Sequence, residues 1–295
     1  HKLPQSFLRD MQLAGVVTSA FHSTKGKTNR FQLNFRNHRK IVVVDGKIAY
    51  VGGHNVGDEY LGKHPTFGPW RDTQFSVEGP VVQTIQFCFV EDWYWATKRT
   101  PELNWAVSRA SDGREEALVI ASGPADRLET CGLMFVQAIN AASKRIWIAS
   151  PYFVPDLQTL SALKLAALRG VDVRIILPEK ADHRTVYLAS FTYYQNTLPL
   201  EIKLYRYTAG FMHQKVFLVD SSCAALGTAN LDNRSFRLNF EITLLNYDPG
   251  FVKEVEAMLT NDFSRSRPVT MEEYSQRSFF FKLAARSARL LAPIL

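Results

Sequence analysis

Two stretches of this chain share one polar skeleton. HRKIVVVDGKIAYVGGHN occupies positions 38–55 and HQKVFLVDSSCAALGTAN occupies 213–230. Each begins with His, then has Lys two residues on, Asp seven on, Gly fourteen on and Asn seventeen on. Five fixed residue types, each near one in twenty, recur by chance at about 10⁻⁷ per starting position. The duplication runs on beyond the motif. Asp72 opens DTQFSVEGP and Glu241 opens EITLLNYDP, and each acid stands eight residues before a Pro. Each Pro introduces an amphipathic helical pattern, Val82, Ile85, Phe89 and Trp93 in one copy and Val252, Val255, Leu259 and Phe263 in the other. A repeat of this length is a duplicated domain, and the chain is constrained to build two equivalent units.

The second unit reads clearly. ALVIAS (117–122), IWIASPYF (146–153), VDVRIILP (171–178) and EIKLYRY (201–207) have the branched, apolar character of strands. They alternate with helical patterns over 128–145, 157–170 and 184–198, the second stopped by Gly170. This alternation predicts an α/β layered domain with a largely parallel sheet. KVFLVD of the second motif reads as a further buried strand. The first unit joins the pattern late: a helix over 3–15 and a strand at VVTSAF (16–21) are all that precede its motif. The opening strand–helix–strand–helix–strand of the second unit has no counterpart there. With no initiator Met, the chain reads as part of a longer two-lobed protein. The expected organisation is a partial first lobe at 1–98, a polar linker at 99–116, a second lobe at 117–268 and an amphipathic tail at 269–295.

The motif has a chemical reading. Residues i and i+2 of an extended strand face the same way, so His38 and Lys40 share one side, as do His213 and Lys215. If the units pack about a pseudo-two-fold axis, the two pairs face each other. Two imidazoles, two ammonium groups and the amides of Asn55 and Asn230 then line a pocket suited to a phosphate ester. One imidazole can attack phosphorus while the other protonates the leaving oxygen. Lys and Asn donors would stabilise charge on the phosphoryl oxygens. Asp72 and Glu241 would each hold a ring Nδ1–H and leave Nε2 for the phosphorus. Asp45 and Asp220 belong to the motif, but each ends its strand five residues after the Lys. They are better placed to hold turn groups than to touch phosphate.

A net charge of +7 favours anionic partners. Cys88, Cys131 and Cys223 lie far apart without metal-ligand spacing and read as buried free thiols. No ligand cluster calls for a metal, and no cofactor is expected. No apolar run reaches the roughly 18–20 residues of a spanning helix. Arg30, Arg36 and Arg39 flank the first motif and either steer an anionic headgroup or form a solvated basic face. His22, His54 and His64 carry no repeat-supported signal, and Trp70, Trp93 and Trp95 read as packing residues.

The doubled H-x-K-x4-D-x6-G-x2-N resembles the signature of the phospholipase D superfamily. NHRKIVVVDGKIAYVGGHN, WRDTQFSVEGP, SPYFVP, GVDVRIILP and GTANLDNRSFRLNFEI resemble in particular the bacterial cardiolipin synthase family, over essentially the whole chain. The resemblance implies two lobes, each a mixed sheet flanked by helices, with one active site between them. It implies His38 as nucleophile, His213 as acid and then base, and transfer of a phosphatidyl group between two phosphatidylglycerol molecules. It also implies work at the cytoplasmic face of a bacterial membrane. Hydrolysis to phosphatidic acid, a superfamily nuclease and an inactive lipid-binding scaffold are the alternatives. A long Lys/Arg stripe with interleaved aromatics is absent, so nucleic acid is not the expected partner. The tail RSFFFKLAARSARLLAPIL (277–295) sets Lys282, Arg286 and Arg289 on one helical face and Phe280, Leu283, Leu290 and Ile294 on another. That pattern fits a helix lying on an anionic membrane, or a terminal helix packed on its own domain.

Overall fold

The computed structural model describes residues 3–21, 35–110, 113 and 115–295. The repeat is visible as two copies of one antiparallel unit. In the first half Ile41–Val44, Ile48–Gly52 and Gln74–Glu78 pair in that order, and helix Val81–Thr97 follows. In the second half Val216–Val219, Cys223–Gly227 and Asn239–Asn246 pair in the same way, and helix Pro249–Ser264 follows.

The second copy is extended into a nine-stranded sheet. Val216–Val219 pairs with Arg145–Ala149, beside which Asp172–Pro178 and Lys203–Tyr207 run parallel and Ser266–Pro268 closes the edge. Ala117–Ser122 pairs with the outer side of Asn239–Asn246. The sheet is mixed: the parallel pairing expected from the strand–helix alternation is confined to Arg145–Ala149, Asp172–Pro178 and Lys203–Tyr207, and to one short ladder at the opposite edge. The motif strands enter as hairpins, and a hairpin is antiparallel by construction.

Strand alternation sends neighbouring side chains to opposite layers. Ile146, Ile148, Phe217 and Val219 face helices Thr130–Ala141, Leu157–Leu168 and Arg184–Thr197 in one core. Trp147, Ala149, Val216 and Leu218 face the other way. There they share a second core with Ala49, Val51, Phe75, Val82 and Ile85 of the first half. This two-sided burial explains why KVFLVD is apolar without alternation. VVTSAF forms no strand: it has no neighbour to pair with among the described residues, and Val17 is exposed. His22 and Arg30 lie outside the described residues. All three cysteines are buried and free.

The motif Gly and Asp are explained by the hairpin. A Cβ on Gly52 would lie 2.3 Å from the Thr73 carbonyl oxygen, and one on Gly227 would lie 2.3 Å from that of Ile242. Only glycine lets the neighbouring segment, which carries Asp72 or Glu241, come so close. Asp45 (φ 53°) and Asp220 (φ 50°) take left-handed turn positions. The Asp220 carboxylate accepts from the backbone N–H of Ser143, Lys144 and Arg145 at 2.8–3.0 Å, and from the Ser143 hydroxyl.

In the tail, helix Phe279–Leu290 docks on helix Arg184–Thr197. Ala285 and Ala288 are buried, Phe281 meets Phe191 edge to face, and the Arg289 guanidinium lies 3.6 Å from the centre of the Tyr193 ring. Phe279, Phe280, Leu283 and Leu290 remain exposed. Among the described residues no helix is long and apolar enough to cross a membrane.

Asp220→Ala removes four hydrogen bonds that fix the loop before Arg145, and is expected to lower the free energy of unfolding by about 2 kcal/mol. Asp45→Ala, at an exposed position, is expected to change it by less than about 0.5 kcal/mol. Urea denaturation of both variants measures the difference, and equal effects would contradict the turn-fixing role of Asp220.

Candidate active site

Each half lends the other a strand at the point where its His–Lys pair begins. Arg36–Asn37 runs parallel to the start of Asn239–Asn246, pairing Arg36 with Asn239 and Asn37 with Phe240. The His38 N–H then donates to the Phe240 carbonyl at 2.9 Å. The second half repeats this in mirror roles. Phe211 pairs with Trp70 and Met212 with Arg71, and the His213 N–H donates to the Arg71 carbonyl at 2.8 Å. The His-x-Lys tripeptides therefore lie between two short ladders, outside regular strand, where the sequence pattern had placed them within one. The chain must cross from one half's sheet to the other, and the crossing breaks the pairing.

The exchange brings each imidazole to a carboxylate of the opposite half. His38 Nδ1 lies 2.9 and 3.1 Å from the two oxygens of Glu241, and His213 Nδ1 lies 2.8 Å from Asp72 Oδ2. A carboxylate can only accept, so each ring presents its Nδ1–H to the acid and turns Nε2 away from it. Gly53 supports this geometry, because a Cβ there would sit 2.0 Å from Asp72 Oδ1. Lys40 Nζ donates to the His38 carbonyl at 2.7 Å. Lys215 Nζ donates to the His213 carbonyl and lies 3.0 Å from both nitrogens of its ring.

The residue between His and Lys anchors each pair to its own half's helix. Arg39 donates to Asp92 Oδ1 at 2.9 Å and to the Glu241 and Ser122 carbonyls at 3.1 Å. Gln214 donates to Asp262 Oδ2 at 2.7 Å, and the same carboxylate holds Arg71 through two 2.8 Å bonds. Arg39 is thus engaged internally, whereas Arg36 is exposed beside His38.

The charges act on one another across the halves. Burial pulls the Lys40 ammonium down to about 8, against the pull of Glu241 and Asp72. Burial pulls Lys215 down to about 7, opposed by Asp72 and aided by Lys40. His213 falls to about 3, first through burial and then through Lys215, while Asp72 opposes the shift. Burial raises Glu241 and Asp72. The His38 charge and hydrogen bond outweigh it at Glu241, and the His213 hydrogen bond with the Lys215 charge outweigh it at Asp72, so both carboxyls end below their ordinary values.

The surroundings of the two imidazoles differ. The His213 side chain is 8% exposed, and Trp70, Tyr60 and Phe211 pack around it with ring centroids 5.3, 5.9 and 6.3 Å away. The His38 side chain is 25% exposed and opens on a cleft of about 290 Å³. Arg36, Tyr152, His183, Arg184, Asn230 and Asn239 share that cleft, and the C-terminal residues Ile294 and Leu295 reach it.

Other sequence-selected residues are dispersed. Asn230 is buried in the cleft wall, its N–H held by Ser235 Oγ at 3.0 Å. Asn55 is exposed and donates to the Tyr60 hydroxyl, so the two motif asparagines are not equivalent. Asp45 and Asp220 stand at the far ends of their strands, in the turns described above. The strand between Lys215 and Asp220 separates them by about 16 Å, in keeping with the turn-holding place expected of the motif aspartates. Tyr60, Trp70, Phe211 and Asn239 carried no signal in the motif. The pairing of Phe211 with Trp70, and of Arg36 with Asn239, is what brings three of them to the site.

Residues 135–263 match the family model described as cardiolipin synthase, phospholipase D-like domain. The chain is 53% identical over its full length to cardiolipin synthase A of Pseudomonas fluorescens. It is 51% identical to that of Pseudomonas putida and 52% to that of Pseudomonas aeruginosa. It spans about three fifths of the length of these curated relatives, 61%, 61% and 60%. Among solved structures, phosphatidylserine synthase of Haemophilus influenzae superposes with a TM-score of 0.65 at 17% identity, over 88% of this chain and 71% of that one. At that identity the likeness is one of fold.

The buried His213 predicts a pH dependence of stability. Its folded-state value lies near 3, below the roughly 6.5 of an unfolded His, so the unfolded chain binds the proton more readily. Stability contributed by the neutral ring is therefore complete above about pH 6.5 and lost as pH falls toward 3. Denaturation at several pH values between 6.5 and 4 is expected to show a slope steeper by nearly one proton in wild type than in His213→Asn. Equal slopes would contradict burial of the neutral ring.

Proposed function

The chain belongs to the phospholipase D superfamily and is cardiolipin synthase-like, and on that premise we propose that it transfers a phosphatidyl group between two phosphatidylglycerol molecules. The observation that carries this reading is the reciprocal pairing of two imidazoles with carboxylates from opposite halves. It leaves two Nε2 lone pairs flanked by two lysines, an arrangement suited to a two-step exchange at phosphorus. Residues 1–98 and 117–268 act in it as two lobes of one transferase.

His38 faces the open cleft and acts as the nucleophile. Its Nε2 forms a bond to phosphorus as the bond to the headgroup glycerol oxygen breaks, and His213 gives that oxygen a proton. The glycerol hydroxyl of a second phosphatidylglycerol then attacks phosphorus. His213 takes its proton, the phosphorus–nitrogen bond breaks, and cardiolipin and glycerol are the products. Overall one phosphorus–oxygen ester bond replaces another, so no nucleotide is consumed. Lys40 and Lys215 would stabilise the phosphoryl oxygens, and the anion would raise the proton affinity of His213 so that it can act as an acid. The low value at His213 supports a second reading with the roles exchanged, since a neutral imidazole is the form that attacks.

The tail supports contact with a lipid surface. Lys282 donates to the Ser275 carbonyl and Arg289 stacks on Tyr193, so the basic residues partly serve docking. The outward ridge is Phe279, Phe280, Leu283 and Leu290. The chain leads from that ridge to Ile294 and Leu295 at the cleft that His38 lines. The ridge would rest in the interface and deliver lipid to the site.

Phosphatidylglycerol vesicles incubated with the protein are expected to yield cardiolipin and glycerol by mass spectrometry. His38→Ala is expected to lose about 10³-fold or more of that rate. Phosphatidic acid as the main product would make water the acceptor, and residual activity near wild type in His38→Ala would remove the residue from the chemistry.

Replacing Phe280, Leu283 and Leu290 together by Ser is expected to weaken flotation with anionic vesicles by at least about tenfold, because each apolar side chain contributes roughly 1.5 kcal/mol on burial. Unchanged flotation would exclude the ridge as the membrane contact.

A further inference from the structure

The pseudo-symmetry fails at one position beside each imidazole. In the matching ladders, the place of Trp70 in the first half is taken by Asn239 in the second. Trp70 helps close an aromatic wall over His213. Asn239 instead brings an amide to the cleft that His38 lines.

Chemistry fixes the orientation of that amide. Asn239 Nδ2 donates to Glu241 Oε1 at 3.0 Å, and the reversed rotamer would set two acceptors against each other. Oδ1 is therefore turned away from Glu241, where it is buried and has no hydrogen-bond partner. Asn230 Oδ1 is likewise buried and unpartnered. Both residues line the cleft, and they are only 4% and 3% exposed. Tyr152, on the same cleft, gives its hydroxyl proton to Asp182 Oδ2 at 2.6 Å and is left as an acceptor. Burial, reinforced by Asp182, pushes the phenol well above its ordinary value, so it keeps that proton.

Unpartnered buried acceptors are unfavourable and call for a ligand that supplies hydrogens. Phosphate diester oxygens supply none. An ammonium headgroup supplies them but meets Arg36 and Arg184 on the same cleft. Neutral hydroxyls satisfy both conditions. We propose that Asn239 Oδ1, with Asn230 Oδ1 and the Tyr152 oxygen, forms a hydroxyl-binding subsite beside His38 for the terminal glycerol of a phosphoglycerol headgroup. The assignment rests on the transferase reading and deepens it. The subsite holds the departing glycerol in the first step and the acceptor glycerol in the second, and so favours a polyol over water.

The test is binding to the full chain, which does not depend on turnover. Glycerophosphoglycerol and diethyl phosphate carry the same diester charge, and only the first has hydroxyls. Calorimetric titration is expected to show wild type binding glycerophosphoglycerol about tenfold more tightly. Asn239→Leu is expected to erase that preference while changing the affinity for inorganic phosphate less than about twofold. Tyr152→Phe, a smaller change, is expected to narrow the preference and decides the matter if Asn239→Leu does not fold. Equal affinities in wild type, or a preference that survives in both folded variants, would overturn the subsite. Absence of transfer on phosphatidylglycerol vesicles with the preference intact would overturn the transferase reading alone.

Discussion

The structure depends on two short ladders that cross between the halves. Arg36–Asn37 on Asn239–Phe240 and Phe211–Met212 on Trp70–Arg71 are each only two residue pairs long. They nevertheless fix the two histidines in register with carboxylates they could not reach within their own half. Slipping either ladder by one residue would turn its side chains to the opposite face and separate imidazole from acid. The shared core of Val51, Phe75, Leu218 and Leu226 holds the halves together, and the Arg71–Asp262 and Arg39–Asp92 pairs pin each crossing to a helix. A site assembled this way exists only when both halves are folded against each other.

Symmetry supplies two equivalent imidazoles, whereas the two-step exchange proposed for the site calls for two different ones. The two imidazoles do differ in their surroundings. Trp70, Tyr60 and Phe211 pack around His213, and burial with Lys215 keeps its ring neutral. His38 faces a polar cleft through Arg36, Asn230 and Asn239. A phosphate anion at this site would shift the lysines and His213 toward their charged forms.

Much of this was legible in the sequence because its causes are local. Branched apolar runs gave Arg145–Ala149, Asp172–Pro178 and Lys203–Tyr207, and helical spacing gave the helices between them. The repeat pointed to His38, Lys40, Asp72, His213, Lys215 and Glu241 together. It did not say which acid serves which imidazole, since that is a property of the crossing ladders. Asp45 and Asp220 belong to the motif for a backbone reason, a left-handed turn, and their place at the strand end five residues after the Lys already pointed to it. Asn55 and Asn230 share a motif position but differ in burial, because Asn55 turns outward to Tyr60 while Ser235 holds Asn230 inside. Trp70 and Asn239 were invisible because their importance arises from where the two copies differ. The alternation in the second unit overstated parallel pairing, as it could not register that the motif strands enter as hairpins.

The most direct test of a single site built from both halves is the number and position of covalent adducts. Wild-type protein turning over phosphatidylglycerol would be quenched in alkali, where a phosphorus–nitrogen bond to histidine survives, then digested and mapped by mass spectrometry. The expected result is at most one phosphatidyl group per chain, carried by the peptide containing His38. Two groups on one chain, at His38 and His213 together, would mean two independent sites and would contradict the shared one.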